Sequence, residues 1–320
     1  MAISRENFLE PEIRCGYEVT ADVKKLWKVQ LDMLEEFMRI CKKYDLRWQM
    51  NGGSLIGAMR HHGYIPWDDD LDVLMPRADY EKFAEVAHAE LPEPYVYVND
   101  ALEPEDSRGH AKIRNSNTAW LDNNRLVWKS RCNQGIFIDI LPTDEVPKDM
   151  KKRVALLKKY AFRKELIKYT ARRIIGSPMA RCRKLIVRIG STIATILQGG
   201  HVRAVNKTED VIRKYEFEEG EERITGLATW CALFKQYEKG FFRDEDVWGE
   251  LIDVPFEYLM VKAPKAYDAI LTTSFGDWRT PVKSPAYHGV AAVYDTEHSY
   301  KEVLKSKYGY TDHDFEQNWF

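Results

Sequence analysis

The chain has 320 residues, enough to bury a sizeable core, and its 44% hydrophobic and 31% charged content excludes a disordered or fibrous protein. Five cysteines, an odd number with no CxxC pair, argue against a disulfide framework or a zinc site; the polar, acidic stretch Met1–Pro11 is no signal peptide, and no apolar run is long enough to span a bilayer. The net charge of −2 conceals 14 Lys/Arg against one acid (Glu165) in residues 151–190, a basic segment on an acidic body, which implies an anionic partner.

Val23, Trp27, Leu31, Leu34, Met38 and Cys41 recur at steps of three and four, predicting an amphipathic helix capped by Thr20. A strand over Leu46–Asn51 follows, then a turn at Gly52-Gly53 and a short helix from Ser54 to Arg60, closed by His61-His62-Gly63. The next strand is Asp70–Met75, and a helix runs from Arg77 to Glu90 with Tyr80, Phe83, Ala84 and Ala87 inward. Tyr95–Val98, His110–Arg114 and Ile136–Leu141 read as further strands. Alternating strands and helices predict a mixed α/β or α+β lobe. Three regions follow: a core over 1–148, a basic helical region over 149–220, and a C-terminal segment over 221–320 packing on the core.

The basic region contains an apolar stretch, Leu185-Ile186-Val187-Arg188 through Ile196-Leu197, flanked by Arg181, Arg183 and Lys184. Two readings stand for it: a helix lying in a membrane interface, or a helical lobe with basic solvent faces and an ordinary core. The expected location is cytoplasmic, with attachment to the inner face of the cell membrane as the corollary of the first reading.

The densest chemical signal is Trp67-Asp68-Asp69-Asp70-Leu71-Asp72 at a strand start. On an extended strand Asp70 and Asp72 project from one face, where two like charges repel unless a cation sits between them. Oxygen ligands suit Mg²⁺ or Mn²⁺. An EF-hand counted from Asp68 fails, because Val73 and Asp79 stand where Gly and Glu are required. Asp139 is the lone charge in the apolar run Gly135–Pro142, where an acid without a partner is costly.

A Gly-Ser turn after one strand, a D-x-D at the next and a later carboxylate form the loose pattern of nucleotidyltransferase-fold enzymes. The surrounding words are more specific. Asn51-Gly52-Gly53-Ser54-Leu55-Ile56-Gly57-Ala58-Met59-Arg60 with Trp67–Val73 closely resembles the LicD family of phosphotransferases. Lys112-Ile113-Arg114, Gly135–Pro142, Pro264–Asp268 and Phe275-Gly276-Asp277-Trp278 match later family words in order. The resemblance covers about 20–145 and 255–290.

It implies a nucleotidyltransferase-like mixed sheet flanked by helices, with the C-terminal segment completing the site. The implied reaction moves phosphocholine or a similar substituted phosphate from a CDP-activated donor such as CDP-choline to a hydroxyl. The acceptor would be a cell-surface glycan, of the lipopolysaccharide or teichoic acid kind, or its lipid-linked precursor. Asp70, Asp72 and Asp139 would hold one or two Mg²⁺ or Mn²⁺ ions, with Asp139 also the general base. Gly53, Ser54, Arg60, Lys112 and Arg114 would bind phosphate, with Asp68 and Asp69 as supports. His288 fits the family's C-terminal histidine, although Pro285-Ala286 replaces the Arg usual before it. Trp67, Trp120, Trp128, Trp230 and Trp278 are candidates for an aromatic cage around choline. The alternative is transfer of a nucleoside monophosphate to a sugar or other small acceptor, since one metal cradle serves either phosphorus. No nucleic-acid motif accompanies the basic segment, so nucleic acid is not an expected partner.

Overall fold

A computed structural model describes residues 5–103, 108–122, 132–171, 178–282 and 292–316. The fold is mixed α/β, with a central mixed sheet flanked by helices. Two compact units make up the chain: 1–97 with 112–141 and 245–320, and 98–111 with 142–244. The expected regions had their limits at 148 and 220; these units change over at 97, 111, 141 and 244.

The first unit opens with a two-stranded ribbon, β1 (Glu12–Arg14) and β2 (Tyr17–Val19), followed by α1 (Ala21–Lys43). Thr20 caps α1 as its sequence predicts, its Oγ1 accepting from the Val23 N–H at 3.4 Å. Trp27, Leu31, Leu34, Phe37 and Cys41 are buried on one side of α1, and so is Gln30. The strand expected over 46–51 shortens to β3 (Gln49–Met50). Helix α2 (Gly52–His61) then starts two residues earlier than expected, so Gly52 and Gly53 form its first turn. His62 ends it in the left-handed region. Gly57 is required there for a different reason: a Cβ would collide with the Gly63 carbonyl, where the chain reverses against its own helix.

β4 (Asp72–Pro76) pairs antiparallel with β3, and α3 (Arg77–Glu90) follows with the limits its periodicity predicts. β5 (Tyr95–Val98) pairs with β6 (Ala111–Asn115), and β6 with β8 (Ile136–Pro147), which also pairs with β4. β8 is twice the length of the strand expected, because Asp144–Pro147 go on pairing, with Arg223–Gly226 of the second unit. Between them lies β7 (Ala119–Asp122).

In the second unit the trailing half of β8 pairs with β9 (Arg223–Gly226), and β9 with β10 (Phe241–Phe242). Helices α4 (Met150–Ala171), α5 (Pro178–Leu197), α6 (His201–Arg213) and α7 (Ala228–Leu233) complete it. Val146, Leu156, Leu157, Tyr160 and Ile212 form its core. The buried Lys164 ammonium pairs with Asp100 and lies 3.6 Å from Glu209.

The first unit resumes with the hairpin β11 (Leu251–Phe256) and β12 (Leu259–Pro264), then α8 (Tyr267–Phe275). β13 (Ala292–Asp295) pairs with β7, and α9 (Tyr300–Tyr308) packs Val303 and Leu304 on Ala119 and Leu121. A reciprocal capping box between Ser299 and Glu302 starts α9.

Candidate active site

The acidic loop lies in the first unit, between α2 and β4. β4 begins only at Asp72, so Asp70 precedes the strand, and alternation along a strand does not relate the two side chains. What brings the carboxylates together is a held loop. Trp27 Nε1 donates to the Asp68 carbonyl at 2.9 Å, and Gln30 Nε2 donates to the Asp69 carbonyl at 2.8 Å. Both donors lie on the buried side of α1. With its carbonyls pinned, the loop presents Asp68, Asp69 and Asp70 with carboxylate oxygens within 4.8 Å of one another.

Asp72 is tied to α2. Its N–H donates to Ser54 Oγ at 2.9 Å, and its carbonyl accepts from the Asn51 N–H at 3.0 Å. Of the glycines in front of Ser54, Gly53 is a spatial requirement, whereas Gly52 answers to a positive φ of 51°. A Cβ on Gly53 would sit 2.7 Å from Asp68 Oδ2, and one on Gly52 would sit 3.7 Å from Asp72 Oδ2. The first turn of α2 thus lies against two of the carboxylates, with its helix N-terminus directed at negative charge.

Asp139 lies on β8, whose main chain is joined to the acidic loop by the Asp139 N–H donating to the Leu71 carbonyl at 2.9 Å. The partner that burial of Asp139 requires is Lys112, on β6. Lys112 is 3% exposed and Arg114 5%, so neither lies on a solvated strand edge. The Lys112 ammonium also stands 3.9 Å from the centre of the Phe137 ring, and the Arg114 guanidinium 4.9 Å. Arg114 further donates to the Gly135 carbonyl at 3.0 Å.

The electrostatics follow from this crowding. Burial, then Asp70, Asp139 and Asp68, push the Asp72 carboxyl well above its ordinary range, against the opposing pull of Lys112. Burial and Asp70 push Asp69 up to about 7, and burial with Asp70 and Asp69 raises Asp68. Buried Asp69 Oδ2 has no hydrogen-bond partner. Such a set of oxygens needs protons or a cation, and its donors fit a hard divalent ion.

Arg60 is committed elsewhere. It donates to the carbonyl of Trp278 at 2.5 Å and of Thr280 at 3.4 Å, tying α2 to the chain after α8. Its Nε also donates to His61 Nε2 at 2.9 Å. Among the tryptophans, Trp67 meets Tyr17 edge to face at 5.8 Å, and Trp120 packs between Phe137 and Tyr294 at 5.6 and 6.1 Å. Trp278 donates to Asp268 at 3.1 Å, and Trp230 packs on Phe234 within the second unit. His288 and Trp128 lie outside the described residues.

Three supports were not legible as site residues. Gln30 carried a signal, being a polar residue on the apolar stripe of α1. Arg14 and Glu257 carried none. The buried Glu257 carboxylate, at the β11–β12 turn, accepts from Arg14 at 2.8 and 3.1 Å and from the Tyr64 N–H at 2.9 Å. It thereby fixes the approach to the acidic loop.

Residues 45–181 match the family described as LicD/FKTN/FKRP, nucleotidyltransferase domain. Over 133 residues the chain is 36% identical to the lipopolysaccharide cholinephosphotransferase LicD of Haemophilus influenzae, covering 41% of this chain and 48% of that protein. It is also 32% identical over 54 residues to an uncharacterized protein, RT0683, of Rickettsia typhi, covering 17% of this chain and 18% of that one. The chain thus spans about half the length of the first relative and less of the second.

Proposed function

We propose, from a chain whose residues 45–181 match the LicD/FKTN/FKRP nucleotidyltransferase domain, that the protein transfers phosphocholine or a related substituted phosphate from a CDP-linked donor to a glycan hydroxyl. The acceptor is a cell-surface glycan such as lipopolysaccharide, or its lipid-linked precursor. The observation that carries this reading is the convergence of Asp68, Asp69 and Asp70 beside Asp72 at the N-terminus of α2.

Asp70 and Asp72, with Asp139, are the residues that would hold Mg²⁺ or Mn²⁺; a bound divalent ion neutralises phosphate charge and stabilises the departing phosphate. Asp139 accepts the proton of the acceptor hydroxyl as the new O–P bond forms. The bond from that phosphorus to the CMP oxygen breaks, and CMP leaves. Lys112 and Arg114 offer positive charge to the phosphates, and Lys112 is paired with the Asp139 carboxylate. Gly53 and Ser54 stand in the first turn of α2, whose N-terminal N–H groups would meet phosphate oxygens. Of the candidate cage tryptophans, Trp67, set edge to face with Tyr17, is the one proposed to meet a quaternary ammonium.

Thermal denaturation with Mg²⁺ and a panel of CDP-alcohols, with UDP- and ADP-linked controls, tests the donor, because a ligand of the folded state raises the melting temperature. A metal-dependent shift with one CDP-alcohol, followed by CMP release on adding acceptor, is the expected result. A shift only with nucleoside triphosphates, with pyrophosphate released, assigns nucleotidyl transfer instead.

A further inference from the structure

Helix α5 is built the wrong way round for a helix in water. Among its described side chains, from Lys184 to Leu197, the buried ones are Ser191 and Thr195, both hydroxyl-bearing. Ile186, Ile189, Ile193, Ile196 and Leu197 face outward, with Ile186 71% and Leu197 82% exposed. At 3.6 residues per turn these five fall in a single stripe roughly 100° wide. The ordinary-core reading of this apolar stretch therefore fails: its large side chains do not pack inside the unit.

A second feature adjoins the C-terminal end of α5. A groove of about 410 Å³ is lined by Lys159 and Arg163 of α4, by Gln198, and by Lys207 of α6, with Phe162 and Leu166 as apolar wall. Among the described residues no carboxylate pairs with these three cations. Arg163 donates to the Lys207 carbonyl at 3.1 Å, and Lys207 to the Gln198 carbonyl at 3.1 Å, so both are positioned without being neutralised. Phe162 is 67% exposed beside them.

We propose that this face of the second unit is a docking surface for anionic phospholipid. The isoleucine stripe of α5 enters the boundary between headgroups and acyl chains, and Lys159, Arg163 and Lys207 meet headgroup phosphates. Charge complementarity selects this occupant. An apolar helix face bordered by cations fits a surface that is apolar beneath and anionic above. No helix among the described residues is long and apolar enough to cross a membrane, so the contact lies along the surface.

The test is co-sedimentation of the full chain with vesicles of phosphatidylcholine alone and of phosphatidylcholine mixed with phosphatidylglycerol. It needs neither donor nor metal and so is independent of the proposed reaction. The expected result is binding to the anionic vesicles that weakens with salt. The Ile189→Glu/Ile193→Glu double variant loses it, with circular dichroism and melting unchanged because both side chains are exposed. Lys159→Gln and Lys207→Gln each weaken it by about fivefold, the effect of one cation near an anionic surface. Three results overturn the proposal: no preference for anionic vesicles, binding that survives the double variant, or a dimer in sedimentation velocity that Ile193→Glu converts to monomer.

Discussion

The ammonium of Lys112 and the carboxylate of Asp139 form an ion pair within the sheet, with the lysine almost wholly shielded from solvent. Removing one member leaves the other charged and uncompensated, which costs about 3–5 kcal/mol for buried pairs. Lys112→Met and Asp139→Asn should each destabilise the fold on that scale. The double variant should lose clearly less than the sum. Urea unfolding of the three variants measures this, and simple additivity would refute a coupled pair.

Gly53→Ala separates stability from function. Alanine favours a helix over glycine by about 0.5–1 kcal/mol, and Gly53 is in the first turn of α2. The added methyl, however, would displace the Asp68 carboxylate. The expected variant is as stable as the parent but binds Mg²⁺ or Mn²⁺ more weakly, as read by calorimetric titration. Unaltered cation binding would show that Asp68 does not support the cation site.

Asp70→Asn and Asp72→Asn remove a charge from a site where carboxylates repel one another. Without divalent ions each should melt at or above the parent temperature, while turnover falls by at least about a hundredfold. Full activity of the Asp72→Asn protein is the result that defeats the cradle.

His61 sets an acid limit on stability. Burial first, then Arg60, Arg14 and His62, push its pKa from 6.5 down to about 4. Between those values the unfolded chain binds a proton that the folded chain refuses. The contribution is therefore complete above the unfolded value and is lost as pH falls towards 4. Its size is about 1–2 kcal/mol once partial exposure of the ring is allowed for. His61→Gln should flatten melting temperature against pH in that window.

Thiol reactivity offers a check on the fold. Cys15 is exposed, whereas Cys41, Cys132 and Cys231 are buried, and burial pushes the Cys231 thiol up to about 12. Of these four, Cys15 alone should react with a thiol reagent in native protein, and the others only after denaturation.

Much of this architecture was legible because it is written locally. Thr20, the stripe of α1, and the limits of α3 and β5 follow from capping and from periods of 3.6 and 2. The acidic word and Asp139 were visible as charges in apolar surroundings. The start of β4 was misplaced because period-two alternation runs on through Asp70, whereas Gln30 and Trp27 hold that stretch as a loop. Arg60 resembled a phosphate ligand because nothing near it in sequence shows the Trp278 and Thr280 carbonyls that occupy it. The outward face of α5 was ambiguous for a related reason: a helical stripe has no sign until its neighbours are known.

Arg14 and Glu257 stand 243 positions apart, yet together they fix the Tyr64 backbone on the way to the aspartates. Neither falls within residues 45–181. Among descendants of this chain, exchange of either charge should be accompanied by exchange of the other. The segment that carries the recognisable motif therefore drifts under constraints written in both flanks, and a lineage that shed either flank would shed the acidic loop's geometry with it.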